Sequence, residues 1–97
     1  MAYDPGAIDA TLAAAVGEDP ALIAELRLAF HEGAERSFAT LKGAPDEATW
    51  REAAARLRGL AASFGAVRLM ALATELGDAG LRDAKLLAKL ERAIARL

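Results

Sequence analysis

Ninety-seven residues suit one small domain with a single core, expected to span 1–97. The chain is 55 % apolar, but 26 of its residues are alanine, which forms helices well and buries little area, so closely packed helices are expected. A net charge of −2 and a pI near 5.3 argue against general binding to nucleic acid or anionic membrane, and the absence of cysteine removes disulfides, thiolate nucleophiles and Cys-based metal sites.

The opening stretch MAYDPGAIDA has neither the basic nor the apolar region of a signal peptide. No apolar run approaches the ~20 residues of a membrane span. A cytoplasmic, monomeric module without a cofactor is expected. Asp4-Pro5 or Asp9 is suited to cap a short first helix that ends at Gly17, with Ile8, Leu12 and Val16 on one stripe. Asp19-Pro20 opens a longer helix to about Lys42. Its inner face is marked by Ile23, Leu26, Phe30, Ala34, Ser37 and Leu41, and widened by Leu28 and Phe38 to meet two neighbours.

Gly43-Ala44-Pro45-Asp46 reads as a turn and a new cap, and a third helix runs from about Asp46 to Phe64. Trp50, Ala53, Leu57, Leu60, Ala61 and Phe64 fall on one side, and Gly65 stands at the usual position just past a helix end. A fourth helix from about Val67 carries Leu69, Leu72 and Leu76 and loosens at Gly77-Asp78-Ala79-Gly80. Asp83 caps a last helix with Leu87, Leu90, Ile94 and Leu97 on one stripe. Short connections between such helices predict an all-α, antiparallel bundle with a short additional helix at the N-terminus.

The third helix carries the most informative pattern. At 100° per residue, Ala55 lies about 160° from Leu57, on the side away from the core. Gly59 and Ala62 fall close beside Ala55, Glu52 and Arg58 flank them, and Arg56 and Ser63 lie further round. The result is a smooth outward stripe bordered by charge, open to close approach by another backbone. Small residues spaced i, i+4 equally suit a helix–helix seam inside the fold, although flanking charges make such a seam costly to desolvate.

The segment Trp50–Leu69, WREAAARLRGLAASFGAVRL, resembles the helix that bears the active histidine in histidine-phosphotransfer (HPt) domains. That family's pattern is roughly Ala-His-x-Leu-Lys-Gly, a small residue two further on, then Gly-Ala and x-x-Leu. Ala54, Leu57, Gly59, Ala61, Gly65, Ala66 and Leu69 match it. Arg58 stands where lysine is usual, and Ala55 stands where the phosphorylated histidine belongs. The resemblance extends loosely over the remaining helices and implies a four-helix bundle of HPt type.

It also implies roles. The position of Ala55 would attack an aspartyl phosphate on a receiver domain, Gly59 leaves room for the receiver's loops, and Arg58 offsets phosphate charge. Alanine has no lone pair, so no phosphohistidine forms at residue 55. The expected function is therefore a pseudo-HPt module. It would bind a response-regulator receiver domain or a sensor histidine kinase through Glu52, Ala55, Arg56, Arg58, Gly59, Ala62 and Ser63, without enzymatic activity. Two other readings stay open: a phosphotransfer protein whose histidine was replaced by Ala55 through mutagenesis, and a helical adaptor or oligomerisation module.

His31 is the only histidine, with Glu35 one turn on, and reads as a surface or boundary residue because no Gly–cation pair surrounds it. A second Leu-Lys-Gly, at Leu41-Lys42-Gly43, has Ala39 at the acceptor position and Pro45 two residues beyond its glycine. It reads as a helix end. Ser37 and Ser63 have no histidine near them in sequence, and no phosphate-cradling glycine loop or metal-ligand spacing is present.

Overall fold

Aspartates set where three of the helices begin. The computed structural model describes residues 5–17 and 19–97, except for the side chains of 5–7, 9 and 16. Among these residues it is all-helical: α1 (Pro5–Val16), α2 (Pro20–Lys42), α3 (Glu47–Ser63), α4 (Val67–Asp78) and α5 (Ala84–Ala95). Asp19 accepts the Ala21 and Leu22 amides at 3.0 and 3.3 Å. Asp46 accepts that of Thr49 at 2.8 Å, and Asp83 that of Leu86 at 3.0 Å. Each satisfies amide donors that a first helical turn leaves without partners. Asp9 lies within α1, past its start, and Asp4 lies outside the described residues.

The helix ends follow equally local chemistry. Gly65 takes φ +70°, and α3 closes with Gly65 N–H donating to the Ala62 carbonyl and Ala66 N–H to that of Ala61, at 3.2 and 2.9 Å. This double closure needs a left-handed residue, which glycine adopts without a Cβ penalty. Gly43 ends α2 as expected, its N–H donating to Ala39. Helix α4 ends at Asp78 with Ala79 as its cap, within the Gly77–Gly80 stretch where it is expected to loosen.

The core is built from Ile8, Phe30, Leu41, Trp50, Leu57, Leu69, Leu76 and Leu90, all with almost no exposure. Burying each leucine side chain is worth about 2 kcal/mol. Phe30 of α2 stacks on Phe64 at the end of α3, with centroids 4.7 Å apart. Helices α2, α3, α4 and α5 form a closed ring of neighbours, and α1 lies against α2. Helix α2 thus meets three helices rather than two. Phe38 packs at the edge of the core, but Leu28 does not belong to the inner face: it is 59 % exposed.

Two ties fix one end of the molecule. Trp50 Nε1 at the start of α3 donates to the Leu76 carbonyl near the end of α4. Arg82, at φ +54° between α4 and α5, donates from its guanidinium to the Ala44 carbonyl in the α2–α3 turn. Arg82 is the one non-glycine residue in the left-handed region among the described residues. No helix among the described residues is long and apolar enough to cross a membrane.

Candidate functional site: the outer face of α3

Helix α3 divides sharply along its length. Trp50, Ala53, Ala54, Leu57 and Ala61 are buried, whereas Glu52, Ala55, Arg56, Arg58, Gly59, Ala62 and Ser63 are all exposed. Every residue expected to face a partner therefore lies on one open surface. The Ala55–Gly59–Ala62 stripe is not a seam inside the fold. The close helix–helix contact forms one residue earlier: a Cβ built at Gly77 of α4 would sit 3.6 Å from the Ala54 Cβ. Adjacent alanines thus have opposite fates, set by their angle to Leu57.

Gly59 has no packing reason to be glycine. A Cβ built there meets nothing within 4 Å, and its backbone is ordinary helix. Glycine at such a position costs about 1 kcal/mol relative to alanine. Gly33 of α2 differs, because a Cβ there would approach Leu60 Cδ2 to 3.0 Å. The bare backbone at Gly59 lies in the centre of the exposed face, between Ala55 and Ala62.

The flanking charges are not equivalent. Arg56 pairs with Glu52 at 3.0 Å and Arg51 with Glu47 at 3.4 Å, each one turn apart on the same helix. Exposed pairs of this kind contribute little to stability but hold the side chains along the helix. Arg58 has no ion pair or hydrogen bond among the described residues. It is the cation beside Ala55 left available to an incoming anion. Ser63 is committed locally, its hydroxyl donating to the Gly59 carbonyl at 3.0 Å.

Helix α4 adds residues that spacing along α3 does not reveal. Arg51, Ala55 and Arg58 share a shallow groove with Thr74, Gly77 and Asp78. Thr74 donates to the Met70 carbonyl at 3.1 Å. On the other flank, Arg56 borders a groove with Arg36, Ser37 and Thr40 of α2. The face is thus a low ridge, α3, between two shallow grooves.

His31 lies away from this face, among Ile8, Arg27, Phe30 and Leu97, and its Nε2 is 3.0 Å from Glu35 Oε1. It is about one-third exposed, a boundary residue held by its neighbour one turn on. Among the described residues no group of three or more His, Cys, Asp or Glu is placed to hold a metal ion. No protein-family model, curated protein or solved structure matches the chain.

Proposed function

We propose that the protein is a pseudo-HPt signalling module, an antiparallel four-helix bundle of HPt type (α2–α5) with α1 as an additional N-terminal helix. It docks on a receiver domain or a sensor histidine kinase through the outer face of α3 and carries no phosphate. The observation that carries this reading is Gly59: a glycine that the fold does not require, exposed at mid-helix beside Ala55. A partner backbone that must approach closely supplies the missing reason for it. Arg58, unpaired among the described residues, offers the charge that an acidic phosphorylation pocket would meet. The methyl group of Ala55 fills the place of a nucleophile and forms no bond.

The module then works by occupancy, competing for or scaffolding a site that a phosphate-carrying HPt protein would use. The test is a pull-down and titration against the receiver and kinase domains of the source organism. Gly59→Gln is expected to abolish binding while leaving the melting temperature unchanged or raised, because Gln is the better helix former. Arg58→Glu is expected to weaken binding and reduce its salt dependence. Binding that survives Gly59→Gln in the folded protein would remove α3 as the docking face.

A further inference from the structure

The last sixteen residues carry five cations (Arg82, Lys85, Lys89, Arg92, Arg96) against two acids (Asp83, Glu91), a net of +3. The whole chain is at −2, so the remaining 81 residues stand at −5. Within α5, Lys85, Lys89 and Arg92 are spaced i, i+4, i+7, and Arg96 continues the stripe as the helix cap. All four are exposed, and none has an ion pair among the described residues. Lys85, Lys89 and Arg92 line a shallow hollow together with Leu86, Ala88 and a single acid, Asp83.

An outer stripe of α2 has the opposite character. Glu25, Leu28, Glu32 and Glu35 follow the spacing i, i+3, i+7, i+10, all exposed. Leu28 is the most exposed leucine of the molecule among the described residues, and Glu25 and Glu32 lie on either side of it beside a second hollow. Neither Glu25 nor Glu32 has an ion-pair partner among the described residues, although Arg36 stands at the edge of that hollow. A projecting apolar side chain between two carboxylates complements a hollow lined by three cations, one acid and the apolar Leu86 and Ala88.

We propose that this stripe of α2 docks on the α5 stripe of a second copy of the chain, Leu28 entering the hollow over Leu86 and Ala88 while Glu25 and Glu32 meet Lys85, Lys89 and Arg92. In a head-to-tail contact one copy uses its α2 stripe and the other its α5 stripe, so the pair keeps one free stripe of each kind, an α5 stripe on the first copy and an α2 stripe on the second. Assembly is therefore not limited to a dimer. It leaves the outer face of α3 open and does not depend on the function proposed for that face. The charge contact is exposed and screened by salt, so the association is weak and strongest at low ionic strength.

Sedimentation equilibrium tests it. The wild-type mass is expected to rise with concentration at about 20 mM salt and to return to the monomer near 0.5 M, where screening shortens to a few ångströms. Leu28→Glu is expected to weaken association at least ~10-fold, since it replaces the apolar knob with a charge. Glu25→Lys/Glu32→Lys and Lys85→Glu/Lys89→Glu are each expected to be monomeric alone. Mixed, they are expected to associate, because each reversed stripe then meets its complement on the other protein. These positions are exposed, and circular dichroism checks that each variant stays folded. A wild type that remains monomeric at millimolar concentration in low salt overturns the proposal, as does a mixture that fails to associate. Binding of the monomeric wild type to anionic vesicles through Lys85 and Lys89 would also overturn it and assign the α5 stripe to lipid.

Discussion

The indole N–H of Trp50 donates to the Leu76 carbonyl at 2.6 Å, deep in the core and across 26 residues of sequence. This bond joins the start of α3 to the end of α4. Along the same α3–α4 contact Ala54 meets Gly77, while Ala55, 100° further round, meets solvent.

Trp50→Phe removes that bond and part of the buried ring while keeping an aromatic side chain. The Leu76 carbonyl still accepts the Ala79 amide at 3.2 Å, so it is not orphaned. The expected cost is about 2 kcal/mol, chiefly from the space left around the smaller ring, with a fall in Tm of about 10 °C. Thermal unfolding measures it, and a change below 2 °C (about half a kcal/mol or less) would show that the tie contributes little.

Gly59→Ala is expected to stabilise the protein by about 1 kcal/mol, raising Tm by roughly 5 °C. The added methyl meets no neighbour within 4 Å, so nothing offsets the gain in helix propensity. Differential scanning calorimetry reads this directly. A decrease would mean that the outer backbone of α3 is not free, and the docking face would lose its main support.

Asp46 carries the pH dependence of the α3 start. The Thr49 amide, followed by the Thr49 hydroxyl, holds its carboxyl below the ordinary value of 3.8. A depressed folded-state pKa adds stability that is present above the unfolded value and lost as pH falls through the folded one. Asn caps nearly as well and does not titrate in this range. The wild type is therefore expected to lose stability relative to Asp46→Asn below about pH 4, with their difference constant from pH 5 to 8. Parallel acid-unfolding curves for the two proteins check the sign.

Much of this arrangement was legible from local chemistry. Asp19, Asp46 and Asp83 announce helix starts because capping needs only residues within one turn, and Gly65 announces an end for the same reason. The outward direction of Ala55, Gly59 and Ala62 followed from their angle to Leu57. The partners across helices were not legible. Periodicity says which residues of α3 share a face, but not that Thr74 and Asp78 of α4 border it. It also assigned Leu28 to the interior, because a leucine beside an apolar stripe has the same pattern whether it widens the core or projects from it. The Arg82 contact with Ala44 depends on two loops meeting, which no local signal encodes.

In the proposed pseudo-HPt reading, Ala55 stands where a phosphoacceptor imidazole would project. In Ala55→His the imidazole projects from an exposed position, with Gly59 one turn along and Arg58 on its flank. The nearby guanidinium disfavours imidazolium, so the ring stays largely neutral and nucleophilic near pH 7. Arg56 contributes less to this, because it is engaged with Glu52. Replacing Ala with His at an exposed helical site costs about half a kcal/mol, so the fold is retained. When an imidazole nitrogen attacks an aspartyl phosphate, an N–P bond forms, the acyl P–O bond breaks and the carboxylate leaves; Arg58 offsets the charge of the phosphoryl group in transit. Ala55→His is therefore expected to take acid-labile, base-stable label from a phosphorylated receiver that binds the wild-type surface, while the wild type takes none. Adding His31→Ala to that variant is expected to leave the label unchanged, since His31 lies off this face and pairs with Glu35. A folded Ala55→His protein that binds the receiver and stays unlabelled would show that the surface docks in a geometry unrelated to phosphotransfer.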